Sequence, residues 1–129
     1  MRNGHYLKHA RLFVSAASRE LEAARKSRDD TGIRQSAEKG WGAVVQAANA
    51  LLASRGLKPG VGTGRKQDLL QSLEERDRRA RALALSSRYA DALLQLHARC
   101  FYDGDFSLDG VERGIRRAGK FVEDVARIV

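Results

Sequence analysis

Apolar residues recur at alternating steps of three and four along almost the whole chain, and that single regularity restricts it more than any other feature. Leu7, Ala10, Val14, Ala17, Leu21 and Ala24 draw one stripe down a helix from about residue 5 to 27. Ile33, Ala37, Trp41, Val44, Ala48, Leu51 and Leu52 draw a second, ending at Arg55 with Gly56 placed to close it. Asp29-Asp30-Thr31 supplies the turn and the N-cap between them. Leu69, Leu70 and Leu73 mark a short third helix. A break near Arg78 to Ser86 then precedes a fourth helix reaching about Tyr102. Ser107 caps a fifth, with its stripe at Leu108, Val111, Ile115, Ala118, Val122, Val125 and Val129. No stretch alternates with period two, so the reading is all-α: one domain over residues 1–129, a four- to five-helix antiparallel up-and-down bundle.

The segment Gly56-Leu-Lys-Pro-Gly-Val-Gly-Thr-Gly-Arg-Lys66 contains the only proline, which makes it the one substantial loop. It lacks the Gly-Lys-Ser/Thr ending of a P-loop, and no strand precedes it. A flexible connector is the default reading, with Arg65 and Lys66 as an anion or RNA contact the alternative. With 129 residues the domain can bury about two thirds of its unfolded surface without staples. The lone Cys100 argues for a reducing compartment and hence a cytoplasmic location. No run approaches the ~20 apolar residues of a membrane span, and Arg11, Ser15, Ser18 and Arg19 interrupt any signal-peptide core.

The net charge is +8, from 24 Lys and Arg against 16 Asp and Glu. A basic excess carried mainly by arginine favours an anionic partner, because the guanidinium fork matches phosphate geometry. Arg113, Arg116, Arg117 and Lys120 form a basic stripe on the last helix, whereas Arg76, Arg78, Arg79 and Arg81 are interleaved with Glu74, Glu75 and Asp77 and should pair locally. His5 and His9 share a helix face, but no Cys or acidic partner stands beside them, so they read as a surface pair and no metal site is expected. Arg2 and His9 have six residues between them, with Asn3 following the arginine, a spacing weighed as a minor candidate.

Chemistry concentrates in Leu96-His97-Ala98-Arg99-Cys100-Phe101-Tyr102-Asp103. At ~100° per residue His97 shares a face with Ala90, Leu93, Leu94, Cys100 and Phe101, which points it toward the interior or its edge. Arg88, Asp91, Gln95 and Arg99 fall on the opposite, solvated stripe. Cys100 reads as a small buried hydrophobe and not as a nucleophile.

The segments SAEKGWGAVVQAANALLASRG and LHARCFYDGDFSLDGVERGI, separated by a glycine-bearing loop, resemble the short stand-alone members of the HEPN superfamily, the higher eukaryotes and prokaryotes nucleotide-binding domains. The resemblance covers roughly Ser36 to Val129. It implies a helical bundle that dimerises, and nucleotide or RNA binding, often as an RNase toxin paired with a small nucleotidyltransferase antitoxin. It also implies a groove in which Glu38, Lys39 and Trp41 face His97 and Tyr102, and no cofactor. Catalytic members carry on a late helix an arginine followed, after four to six intervening residues, by a histidine. Here the arginine upstream of His97 is Arg88, half a turn out of phase, so His97 and Arg88 are the catalytic candidates but leave opposite faces of one helix. Three functions stay open: a nucleotide- or RNA-binding module, a metal-independent endoribonuclease, and an interaction protein without catalysis.

Overall fold

A computed structural model describes Arg2–Val129, with side chains from Gly4 onward. All its regular elements are helical. They are α1 (Arg2–Ser27), α2 (Asp30–Ser54), α3 (Thr63–Arg76), α4 (Arg78–Ala82), α5 (Leu85–Ala92) with its π-helical continuation (Leu93–Tyr102), and α6 (Leu108–Ile128). The all-α expectation therefore holds. The expected count of four to five helices misses the short α4 and the change of helix type at Leu93. No described helix is long and apolar enough to cross a membrane.

Helix ends follow local chemistry, with one correction. Gly56, at φ +74, turns the chain after α2 so that the Leu57 amide reaches the Leu52 carbonyl at 2.8 Å. Ser107 caps α6 by accepting from the Gly110 amide at 3.0 Å. Asp77 caps α4 by accepting from the Arg79 and Ala80 amides. The Ala80 amide foremost, then Arg55 and the Arg79 amide, hold its carboxyl below the usual aspartate range against the opposing effect of burial. Asp29 occupies the cap position of α2 as expected, yet its carboxylate accepts no capping hydrogen bond.

The helix α2 is the axis of the molecule, and it packs against α1, the π segment and α6. Its apolar face is built from small side chains, so neighbours approach closely. A Cβ added at Gly40 would lie 3.2 Å from Leu96 Cδ1 and 3.3 Å from Ile115 Cγ1. One added at Gly114 on α6 would meet Leu96 Cδ2 at 2.7 Å. Leu96 is thus held between two glycines, one on α2 and one on α6, and is 1 % exposed. Pairings run in opposite senses along neighbouring helices. Ala24 meets Gly32 while Phe13 meets Gly42 across α1 and α2, and Arg34 meets Phe101 while Trp41 meets Tyr89 across α2 and the α5–π rod.

A larger side chain at Gly40 cannot be accommodated without moving both Leu96 and Ile115. Gly40→Val should lower the unfolding free energy by about 1–3 kcal/mol, read by urea denaturation.

Candidate functional site

The π segment determines what surrounds His97. Its ladder closes i to i+5, as in the 3.0 Å bond from the Asp103 amide to the Ala98 carbonyl. In an α-helix five residues rotate ~500°, which would set His97 and Tyr102 ~140° apart. In the widened turn their rings meet edge to face at 5.0 Å between centroids. Phe101 stacks on the imidazole at 6.0 Å, and Trp41 of α2 lies 6.0 Å from it on another side. Glu38, one turn before Trp41, closes the group: its Oε1 is 2.7 Å from His97 Nδ1. The side chains of His97 and Glu38 keep 28 % and 33 % of their exposure, so solvent or a ligand can reach the pair.

Arg34, one turn further back on α2, was not singled out from the sequence. Its Nε and Nη2 both donate to the Phe101 carbonyl, at 2.9 and 2.7 Å, and Nη2 also reaches the Tyr102 carbonyl at 2.7 Å. These are terminal carbonyls of a helix, which lack partners in their own ladder. The signal for Arg34 was its spacing: four residues before Glu38 puts both on one face of α2.

The structure brings Glu38, Trp41, His97 and Tyr102 together and separates the other candidates from them. Trp41 is buried at 7 % exposure, its indole edge-on to Tyr89 at 5.0 Å, and so acts as the wall beneath His97. Tyr102, at 67 %, is the exposed aromatic of the group. Lys39 turns the other way and pairs with Glu20 of α1. Arg88 faces α6, where Nη1 lies 3.0 Å from Asp124 Oδ2 and the guanidinium sits 5.5 Å above the Phe121 ring. Burial works against ionisation of Asp124, but hydrogen bonds from Lys120 and Arg88 outweigh it and hold the carboxyl low. Arg88 and His97 therefore do leave opposite sides of the α5–π rod, as the helical geometry requires.

The expected apolar face around His97 needs revision. Leu94 is 51 % exposed and Ala90 is exposed as well, while the buried line runs through Leu85, Tyr89, Leu96 and Cys100. His97 lies at the margin of that line. Cys100 is fully buried, and burial pushes its thiol up to about 11, in keeping with a packing role.

Lys66 is not the surface anion contact considered from the sequence. It is 4 % exposed, and its Nζ donates to Asn49 Oδ1 at 2.6 Å. Desolvation lowers its pKa, and no carboxylate lies within ion-pair distance among the described residues. Arg65 beside it is exposed. The arginines around α4 also differ from expectation: Asp77 pairs with Arg55, whereas Arg79 and Arg81 donate to the Arg127 and Glu74 carbonyls. On α6, Arg116, Arg117 and Lys120 each have a carboxylate within 4 Å, and Arg113 has none among the described residues. His5 and His9 are exposed with ring centroids 4.3 Å apart, and no group of three metal-ligating side chains occurs among the described residues. Of the Arg2–Asn3–His9 spacing, the first two side chains lie outside those described.

Two outcomes follow from these contacts. Arg34→Met should strip the partners from the Phe101 and Tyr102 carbonyls, costing about 1–3 kcal/mol, with faster hydrogen exchange at the Asp103 and Gly104 amides. At the second site, Asn49→Leu alone leaves the buried ammonium unpartnered and should cost a similar amount, whereas Lys66→Met/Asn49→Leu should be neutral or stabilising. The sign with pH is fixed. With its pKa lowered in the folded state, Lys66 weakens the fold fully below that value, and stability rises with pH up to the unfolded value of 10.5. The advantage of the double variant in urea denaturation should accordingly shrink on approaching that pH.

Residues 12–122 match the model of the archaeal PaREP1/PaREP8 family. No curated protein and no solved structure matches the chain.

Proposed function

We propose that this chain, which belongs to the archaeal PaREP1/PaREP8 family, is a HEPN-like helical bundle that binds RNA or a nucleotide through the patch around His97. One observation supports this reading above the others: an accessible imidazole bonded to Glu38 and flanked by Phe101 and the exposed Tyr102. Aromatic faces stack nucleobases without regard to sequence, and a protein of net charge +8 supplies long-range attraction for phosphates. Glu38 fixes which imidazole nitrogen carries the proton, leaving Nε2 to face a ribose hydroxyl or a base edge. The reading extends to a cytoplasmic homodimer and to a toxin–antitoxin setting with a nucleotidyltransferase partner.

Metal-independent RNA cleavage is the second reading, because a carboxylate-oriented histidine can take the 2′-hydroxyl proton. It also needs a cation for the phosphorane charge. Arg88 is committed to Asp124 on the far side of the rod, and two nitrogens of Arg34 are committed to carbonyls. Binding is therefore favoured over catalysis.

Fluorescence anisotropy with a short single-stranded RNA tests the proposal. The expected affinity falls linearly in log K against log salt, and Tyr102→Ala weakens it by about 1–3 kcal/mol, the usual range for one stacked base. His97→Ala should weaken it too. Cleavage in EDTA that disappears in His97→Ala would promote the second reading. Absence of any salt-dependent RNA or nucleotide binding would overturn both.

A further inference from the structure

On the side of the α5–π rod away from His97, the rod and α6 diverge and leave a cleft of about 360 Å³. That is within the range of small-molecule sites, ~300–1,000 Å³. Its floor is apolar: Val44, Leu96, Ala118 and Phe121 line it, and each is at most 2 % exposed. The mouth is charged. Asp91 on α5 faces Arg117 on α6 across it, at 3.9 Å, too long for a hydrogen bond, and both side chains are largely exposed at 48 % and 68 %. Two further lining cations, Arg88 and Lys120, share the buried Asp124 carboxylate behind the lining, at 3.0 and 3.3 Å. Arg88, Arg117 and Lys120 against Asp91 and the neighbouring Asp124 leave the cleft with surplus positive charge, and the loose Asp91–Arg117 contact is weak enough to exchange.

The geometry points to this cleft as a binding site for a small organic anion with a flat apolar body. The ring system lies on the Leu96–Phe121 floor, and its carboxylate, sulfonate or phosphate group takes Arg117 from Asp91 at the mouth. The site is independent of the His97 patch, since its lining faces α6 and includes none of Glu38, His97 or Tyr102.

The probe is 8-anilinonaphthalene-1-sulfonate, which pairs an aromatic body with one fixed negative charge. Fluorescence titration of the full chain should show one saturable site. Arg117→Glu should weaken it at least tenfold, and Asp91→Asn, which removes the competing carboxylate, should tighten it several-fold. Both positions are on the surface, and circular dichroism will show that the fold persists. The neutral analogue N-phenyl-1-naphthylamine should respond to neither change. His97→Ala, which tests the RNA reading, should leave the sulfonate affinity unaltered. The assignment is overturned by an absence of saturable binding. It is equally overturned by an affinity that Arg117→Glu does not move, or by one lost in Leu94→Glu/Tyr102→Ser, which would put the probe on the exposed apolar residues near His97.

Discussion

The seating of Leu96 between Gly40 and Gly114 is the contact on which the rest of the molecule depends. At this close approach the Leu96 side chain fits because both neighbouring helices lack a Cβ beside it, the two glycines coming from α2 and α6. Because Leu96 belongs to the π segment, this one side chain fixes the distance between all three elements. Its neighbour His97 is then held at a set height along α2, within hydrogen-bond reach of Glu38. The small side chains of α2, among them Ala37, Ala43, Ala47 and Ala48, extend the same logic along its length: a narrow central helix lets its neighbours close tightly around it.

A wide π turn is a poor structure in isolation, since its hydrogen bonds are strained and its core is loosely packed. In this protein α2 supplies what it lacks from outside. Arg34 takes the carbonyls at the end of the segment and Glu38 takes the imidazole in its middle, while Trp41 closes the space beneath the ring. Three residues of one helix face, spaced by one turn or slightly less, thereby hold the segment that presents Tyr102. The accessible chemistry of the patch belongs to the π segment, and its geometry belongs to α2.

Much of this was legible in the sequence because it rests on repetition. The stripes of α1, α2 and α6, the closing turn at Gly56, the cap at Ser107 and the buried Cys100 all follow from local rules that tertiary context does not reverse. His97 stands out through the residues around it and Glu38 through a family resemblance, and the structure joins the two. Two of the failures share one cause, the assumption of a uniform 100° per residue. A helical wheel cannot anticipate a change to i+5 pairing at Leu93, so Leu94 was placed inside and the approach of Tyr102 to His97 had no geometric warrant. Lys66 failed for another reason: a basic residue after a glycine-rich loop looks solvated, and only the fold shows that α3 carries it inward to Asn49. Arg34 went unnoticed because an arginine bonded to carbonyls leaves no pattern in charge.

Trp41 is the only tryptophan in the chain, and it lies between Tyr89 on one side and His97 on the other. The protein consequently carries one indole, placed in the wall of the His97 patch. Excited at the red edge of its absorption, where the three tyrosines do not absorb, its emission reports on a single microenvironment. Protonation of the neighbouring imidazole, or a base settling over Phe101 and Tyr102, would register there as a change in colour or brightness without any label attached.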